Sequence, residues 1–123
     1  MSMRGIRGAV TVDENSKEKI WLAARQLVTK ILSLNELRAE NIGAIIFSMT
    51  EDLTAAFPSS AIRQLPVFQF VPLFDTREPA VKKSLPLCIR VLILTDTNKK
   101  QNEIRHVYLG GAKNLRPDLE SNA

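Results

Sequence analysis

Arg90 stands where an arginine is costly. It interrupts the apolar run Leu87-Cys88-Ile89-Arg90-Val91-Leu92-Ile93-Leu94, which reads as a strand buried on both faces. A guanidinium cannot shed its proton to escape burial, so a carboxylate, a phosphate or a ligand's negative charge must compensate it. Arg7 repeats the pattern inside Ile6-Arg7-Gly8-Ala9-Val10-Thr11-Val12, with Gly5 and Gly8 beside it. Two arginines on strands suggest a preorganised anion site. Internal ion pairs, or a position at a sheet edge, account for the same spacing equally well.

Other chemistries find little support. The single cysteine, Cys88, cannot form an intrachain disulfide; it reads as a small core residue of a protein in a reducing cytoplasm. No His/Cys/Asp cluster has metal-ligand spacing, and none is expected. The net charge is +4 and the sequence pI about 9.5. Only Lys82-Lys83 and Lys99-Lys100 are adjacent basic pairs, and five Phe, one Tyr and one Trp do not interleave with them. This argues against a nucleic-acid partner, while a diffuse positive balance suits a small anionic substrate. No run approaches the roughly 18 apolar residues of a membrane span, and Met-Ser-Met-Arg-Gly lacks the shape of a signal peptide.

The elements that must position these arginines form one domain, residues 1–123. A strand is expected over about 3–12, then a helix to about Leu34 with Ile20, Ala24, Leu27, Val28, Ile31 and Leu32 on its core face. Either Ser16, or Asn15 paired with Glu18, caps it. Strands are expected at Ile42–Ser48, at Val67–Leu73 and at Leu87–Thr95, with a last one near Arg105–Leu109. A short helix is expected over Phe57–Leu65, with either Pro58 in its first turn or Ser59 as cap. Phe74–Lys83 reads as a loop or brief helix. The order is βαβαβ followed by β strands, an α+β (α/β-like) fold with a mixed sheet and helices on one side. One long helix and one short one cannot cover both faces of five strands, so apolar sheet is left for another subunit.

The ordered set Met3-Arg4-Gly5-Ile6-Arg7-Gly8-Ala9, Thr50-Glu51-Asp52-Leu53, Ala56-Phe57-Pro58, Val71-Pro72, Glu78, Cys88-Ile89-Arg90-Val91, Ile104-Arg105-His106-Val107-Tyr108-Leu109 and Leu115-Arg116-Pro117-Asp118-Leu119 resembles the monofunctional, AroH-class chorismate mutases. The resemblance runs from Met3 to Leu119. No single motif is decisive; their order and spacing over the whole domain are. It implies a homotrimeric pseudo-α/β-barrel with sheets lining the core, helices outside and active sites between neighbouring subunits. The implied reaction rearranges chorismate to prephenate, in phenylalanine and tyrosine synthesis, with no metal, cofactor or covalent intermediate.

In such a pericyclic step the breaking C–O bond leaves negative charge on the ether oxygen. A protein helps by selecting the folded conformer and setting fixed charge against that oxygen. The resemblance therefore assigns Arg90 to the ether oxygen and a carboxylate, Arg7 and Tyr108 to the side-chain carboxylate, and Glu78 to the ring hydroxyl, with Arg90, Arg7 and Glu78 the catalytic set. Phe74, Asp75, Thr76 and Arg77 belong to the loop on the ring, Phe57 is an apolar wall, Arg63 and Arg116 add positive potential at the mouth, and the segment from Leu115 closes over the substrate. His106 is expected to be structural or at the surface.

The chain departs from its relatives at Phe74, often a small hydroxyl residue; at Asp75, a thiol in some; and at Ser60, a charged residue in some. Asp75 beside Glu78 adds negative charge near a dianion. Two other readings remain: a deaminase of reactive imines on a similar small trimeric fold, and a basic α+β RNA-binding domain.

Overall fold

The structure, a computed structural model, describes residues 1–115. Strand β1 (Ser2–Thr11) leads into helix α1 (Lys17–Asn35). The Ser16 hydroxyl caps that helix, accepting from the Lys19 N–H at 3.2 Å. Asn15 is used elsewhere: its side-chain oxygen accepts from the Thr54 and Ala55 N–H groups. α1 ends where Glu36 turns left-handed. A 3₁₀ turn over Ala39–Asn41 then delivers β2 (Ile42–Met49). Helix α2 (Pro58–Arg63) starts with Phe57 as its cap residue and Pro58 in the first turn. Strands β3 (Leu73–Arg77), β4 (Cys88–Thr97) and β5 (Val107–Leu109) complete one sheet, in the order β3-β2-β4-β1-β5. β4 runs antiparallel to β1 and β2, whereas β1/β5 and β2/β3 are parallel.

The core lies between one sheet face and α1. Ile6 and Val10 of β1, Ile45 and Phe47 of β2, and Ile89, Val91 and Ile93 of β4 meet Ile20, Ala24, Leu27, Val28 and Ile31 of the helix. The close fit depends on Gly8, where an added Cβ would come within 2.9–3.0 Å of Ile31, Leu27 and the Val107 carbonyl. The mixed sheet with helices on one side is as expected.

Three expectations fail. β4 is buried on only one face: Ile89, Val91, Ile93 and Thr95 are covered, while Arg90, Leu92 and Leu94 on the other are partly exposed. The apolar run at Val67–Leu73 is no strand. Pro66 starts a 3₁₀ turn over Pro66–Phe68, and the Arg63 guanidinium takes the carbonyls of Phe68, Gln69 and Val71 at 2.8–2.9 Å, removing acceptors a ladder would need. The strand comes later, at Leu73–Arg77, in the stretch expected to be loop or brief helix. Pairing opens with the Ile45 N–H on the Pro72 carbonyl, 2.9 Å, an acceptor that proline retains. Finally, β5 starts two residues late, because side chains do the pairing before it: Asn35 bonds both the N–H and the carbonyl of Arg105, and His106 Nδ1 accepts the Arg7 N–H at 2.9 Å.

Candidate active site

The uncovered sheet face carries the polar groups in cross-strand rows. Registers β5/β1, β1/β4, β4/β2 and β2/β3 align Tyr108, Ala9, Arg90, Ser48 and Thr76 in one row. The next row holds Arg7, Leu92, Ile46 and Phe74. Directly paired residues point to the same side, so strand alternation alone brings Arg7, Arg90 and Tyr108 onto one surface. Ala9, with only a methyl group, leaves room between Tyr108 and Arg90.

A cavity of about 520 Å³ opens there, its polar wall made by Arg7, Ser48, Thr76, Glu78, Arg90 and Tyr108, with Leu92 and Leu115 closing it on the apolar side. Glu78 follows β3 directly, and its N–H donates to the Met49 carbonyl at 2.8 Å. Ser48 Oγ donates to Glu78 Oε1, and Arg90 Nε lies 3.6 Å from the same oxygen. The Arg90 and Glu78 side chains are 35% and 21% exposed, so this pair is neither a solvated surface bridge nor a sealed one. Two buried side-chain atoms lack a hydrogen-bond partner among the described residues, Arg90 Nε and Tyr108 Oη, and both residues line this cavity. Buried polar groups normally have hydrogen bonds, so the free Tyr108 hydroxyl, and an Arg90 Nε with only the longer ion pair to Glu78, leave bonding capacity open to a ligand.

The remaining expected residues divide. Thr76 and Leu115 line the cavity with Arg7, Glu78, Arg90 and Tyr108; Arg77 does so as well, but its guanidinium donates to the Thr50 and Leu53 carbonyls at 3.0 and 3.2 Å. Asp75 points to the opposite face, where its carboxylate accepts the Ser59 N–H and hydroxyl at the start of α2. It therefore adds no charge inside this pocket. Arg63 braces the turn after α2, as described above. Phe57 and Phe74 lie outside the cavity, 66% and 65% exposed. Arg116 lies outside the described residues. Ser48 was missed by the sequence reading; its only signal is its place in the Ile42–Met49 alternation, opposite in phase to Phe47. His106 has the structural role expected of it, on the Arg7 backbone.

Cys88 sits on the same sheet face, fully buried with Ala9, Tyr108 and Ala112. Burial pushes its thiol above the ordinary value, partly offset by the nearby Arg90 guanidinium. A raised pKa in the folded state means stability that is complete below the thiol's ordinary value and lost as pH rises through the folded one. Thermal scans should therefore show melting falling above about pH 9, less steeply in Cys88→Ala. An alkylating reagent at pH 8 should leave the folded thiol unmodified. Rapid labelling of native protein would contradict that burial.

Among the described residues, no group of three or more His, Cys, Asp or Glu could hold a metal ion, and no helix is long and apolar enough to cross a membrane. A pocket lined by Arg7, Arg90, Glu78 and Tyr108 has the fixed charges and donors to take a small polyanion. Comparison with known proteins narrows this. The family model for chorismate mutase type I matches residues 3–119. The chain is 51% identical over 120 residues to the chorismate mutase AroH of Thermus thermophilus, covering 97% of this chain and 98% of that one. It is 42% identical over 119 residues to the AroH of Bacillus subtilis, covering 97% and 94%. The solved chorismate mutase from Clostridium thermocellum superposes with a TM-score of 0.87 at 39% identity, over 89% of this chain and 97% of that chain. The chain belongs to the chorismate mutase type I family.

Proposed function

We propose that this protein converts chorismate to prephenate in the cavity on the open sheet face, by electrostatic stabilisation and without a covalent intermediate. The observation that carries the reading is the pair of buried donors without a hydrogen bond, Arg90 Nε and Tyr108 Oη, in a pocket that also holds Arg7 and Glu78. Chorismate offers them two carboxylates, an ether oxygen and a ring hydroxyl.

Each group has one task. Arg7 and Tyr108, flanking Ala9 on the sheet face, hold the side-chain carboxylate and fold it over the ring. Glu78, oriented by Ser48, accepts the ring hydroxyl and keeps the ring from turning. Arg90 presents its planar fork to the ether oxygen and to a carboxylate together. As the C–O bond lengthens, negative charge grows on the oxygen that this fork already faces, so the interaction strengthens only toward the transition state. The oppositely charged Glu78 beside Arg90 fixes that fork before substrate arrives.

The subunit arrangement follows from what the single chain leaves unfinished. Leu92, Leu94, Ile46 and Ala44 remain partly exposed on the open face, and Met3 and Phe74 more so. Packing three such faces around a central axis covers them. The same step brings Phe57, Phe74 and the backbone of edge strand β3 against a neighbour's cavity, so that each site is completed across a joint.

Purified protein should consume chorismate and form prephenate at an undiminished rate in excess chelator. Activity lost on chelation and regained with a divalent ion would count against a fixed-charge site. Ammonia release from an imine substrate, with chorismate untouched, would favour the deaminase reading.

A further inference from the structure

The loop joining Glu78 to Arg90 ends in a strained residue. Leu87 has φ 51°, in the left-handed region that bulky side chains rarely adopt. Its surroundings hold it there. The Leu87 N–H donates to both Asp52 carboxylate oxygens at 3.0 and 3.2 Å, and its carbonyl accepts from the Val12 N–H at 2.9 Å. The next N–H, of Cys88, donates to Thr50 Oγ1 at 3.0 Å, while the Thr50 hydroxyl donates to Asp52. The Thr50 N–H returns a bond to the Cys88 carbonyl at 3.0 Å. Thr50, by backbone and side chain, and Asp52, by side chain, thus prolong the β2–β4 pairing beyond its last ladder pair at Met49 and Ile89.

This clamp lies outside the cavity yet bears on two of its residues. Arg90 is the third residue after Leu87, and a change of path there alters which face of β4 it occupies. Glu78, at the other end of the loop, is already fastened to the Met49 carbonyl. Both ends of the loop are therefore pinned to the end of β2, one through Met49 and one through Asp52.

We propose that Asp52 is a positioning residue for catalysis: with Thr50 it holds Leu87 left-handed, so that β4 begins with Arg90 facing Glu78. The inference rests on the reading of the cavity as the chorismate site. Asp52 touches no substrate; it acts only through the backbone.

The test is a double-mutant cycle on chorismate turnover with the full chain, at a temperature where circular dichroism shows every variant folded. Asp52→Ala should lower kcat about tenfold, the scale of one left-handed residue's strain, with KM within about threefold of the parent. Leu87→Gly should keep the parental kcat, since glycine adopts this conformation unaided. The double variant should then recover to within about threefold of the parent. Asp52→Asn keeps an oxygen for the Leu87 N–H and should retain most of the rate. If Asp52→Ala does not fold, Asp52→Ser, too short to reach that N–H, takes its place. A lower melting temperature with parental kcat makes Asp52 merely structural and overturns the proposal. So does failure of glycine to rescue, or an Asn variant as poor as the Ala one. A parental protein inert toward chorismate instead brings down the reading of the site itself.

Discussion

Arg90→Ala should fold and lose at least 10²–10³ in kcat, the usual scale for one preorganised donor at a developing oxyanion. Its side chain is about one-third exposed and Glu78 keeps the Ser48 hydroxyl as a donor, so its removal leaves no stranded buried carboxylate. Arg90→Lys is the sharper variant. Lysine keeps the charge but offers a point donor in place of a planar fork, so it cannot hold the ether oxygen and a carboxylate in the same geometry. Its deficit should fall chiefly on kcat, with a smaller change in KM, because the ether-oxygen interaction strengthens as the bond breaks. Steady-state kinetics on chorismate decide the matter. A lysine variant with the parental kcat, or two variants changed only in KM, would reduce Arg90 to a binding residue.

Leu94→Asp should abolish assembly and, with it, at least 99% of kcat/KM. Leu94 lies on the open face of β4, partly exposed in the single chain and packed near Gly5. An aspartate there is tolerated by the isolated chain, since the position is open to water. In a threefold assembly it places a carboxylate in each apolar joint, and burying an unpaired charge is strongly unfavourable. Sedimentation equilibrium should show trimer for the parent and monomer for the variant, with unchanged far-ultraviolet circular dichroism. A monomeric variant with parental turnover would remove the neighbour from the site.

The elements visible in the sequence are those whose apolar pattern decides their structure. α1 carries a clean helical period, and β1, β2 and β4 carry apolar runs, broken in β1 and β4 only by an arginine and by glycines. β3 was hidden because it is an edge strand whose Asp75, Thr76 and Arg77 show no apolar alternation. The Val67–Leu73 stretch misled for the opposite reason: its apolar content fits a strand, but the Phe68, Gln69 and Val71 carbonyls are claimed by Arg63, five to eight residues away. For the site, Arg7 and Arg90 stood out because a charge in an apolar strand needs an external reason. Their alignment with Tyr108, and the place of Ser48 beside them, depend on registers between strands far apart in the chain, Ala9 with Tyr108 and Ser48 with Arg90, which no local pattern encodes. Asp75 and Arg63 also have local partners that no pattern announces: Asp75 accepts from Ser59 at the start of α2, and Arg63 donates to carbonyls of the turn beyond it.

The position of β1 within the sheet has a consequence for the life of the chain. Its two neighbours are β4 and β5, so the first strand made pairs only with the last two: Ser2 with Thr97, and Gly8 with Val107. Arg7 emerges from the ribosome long before Arg90 and Tyr108, the residues it must join. Closing such wide loops is entropically slow and leaves the β1 edges open while the rest is synthesised. A nascent chain that stops short of β5 lacks Tyr108 and has a bare strand edge. A chain stalled before β5 is therefore a sticky intermediate with an open strand edge, in place of a weak enzyme.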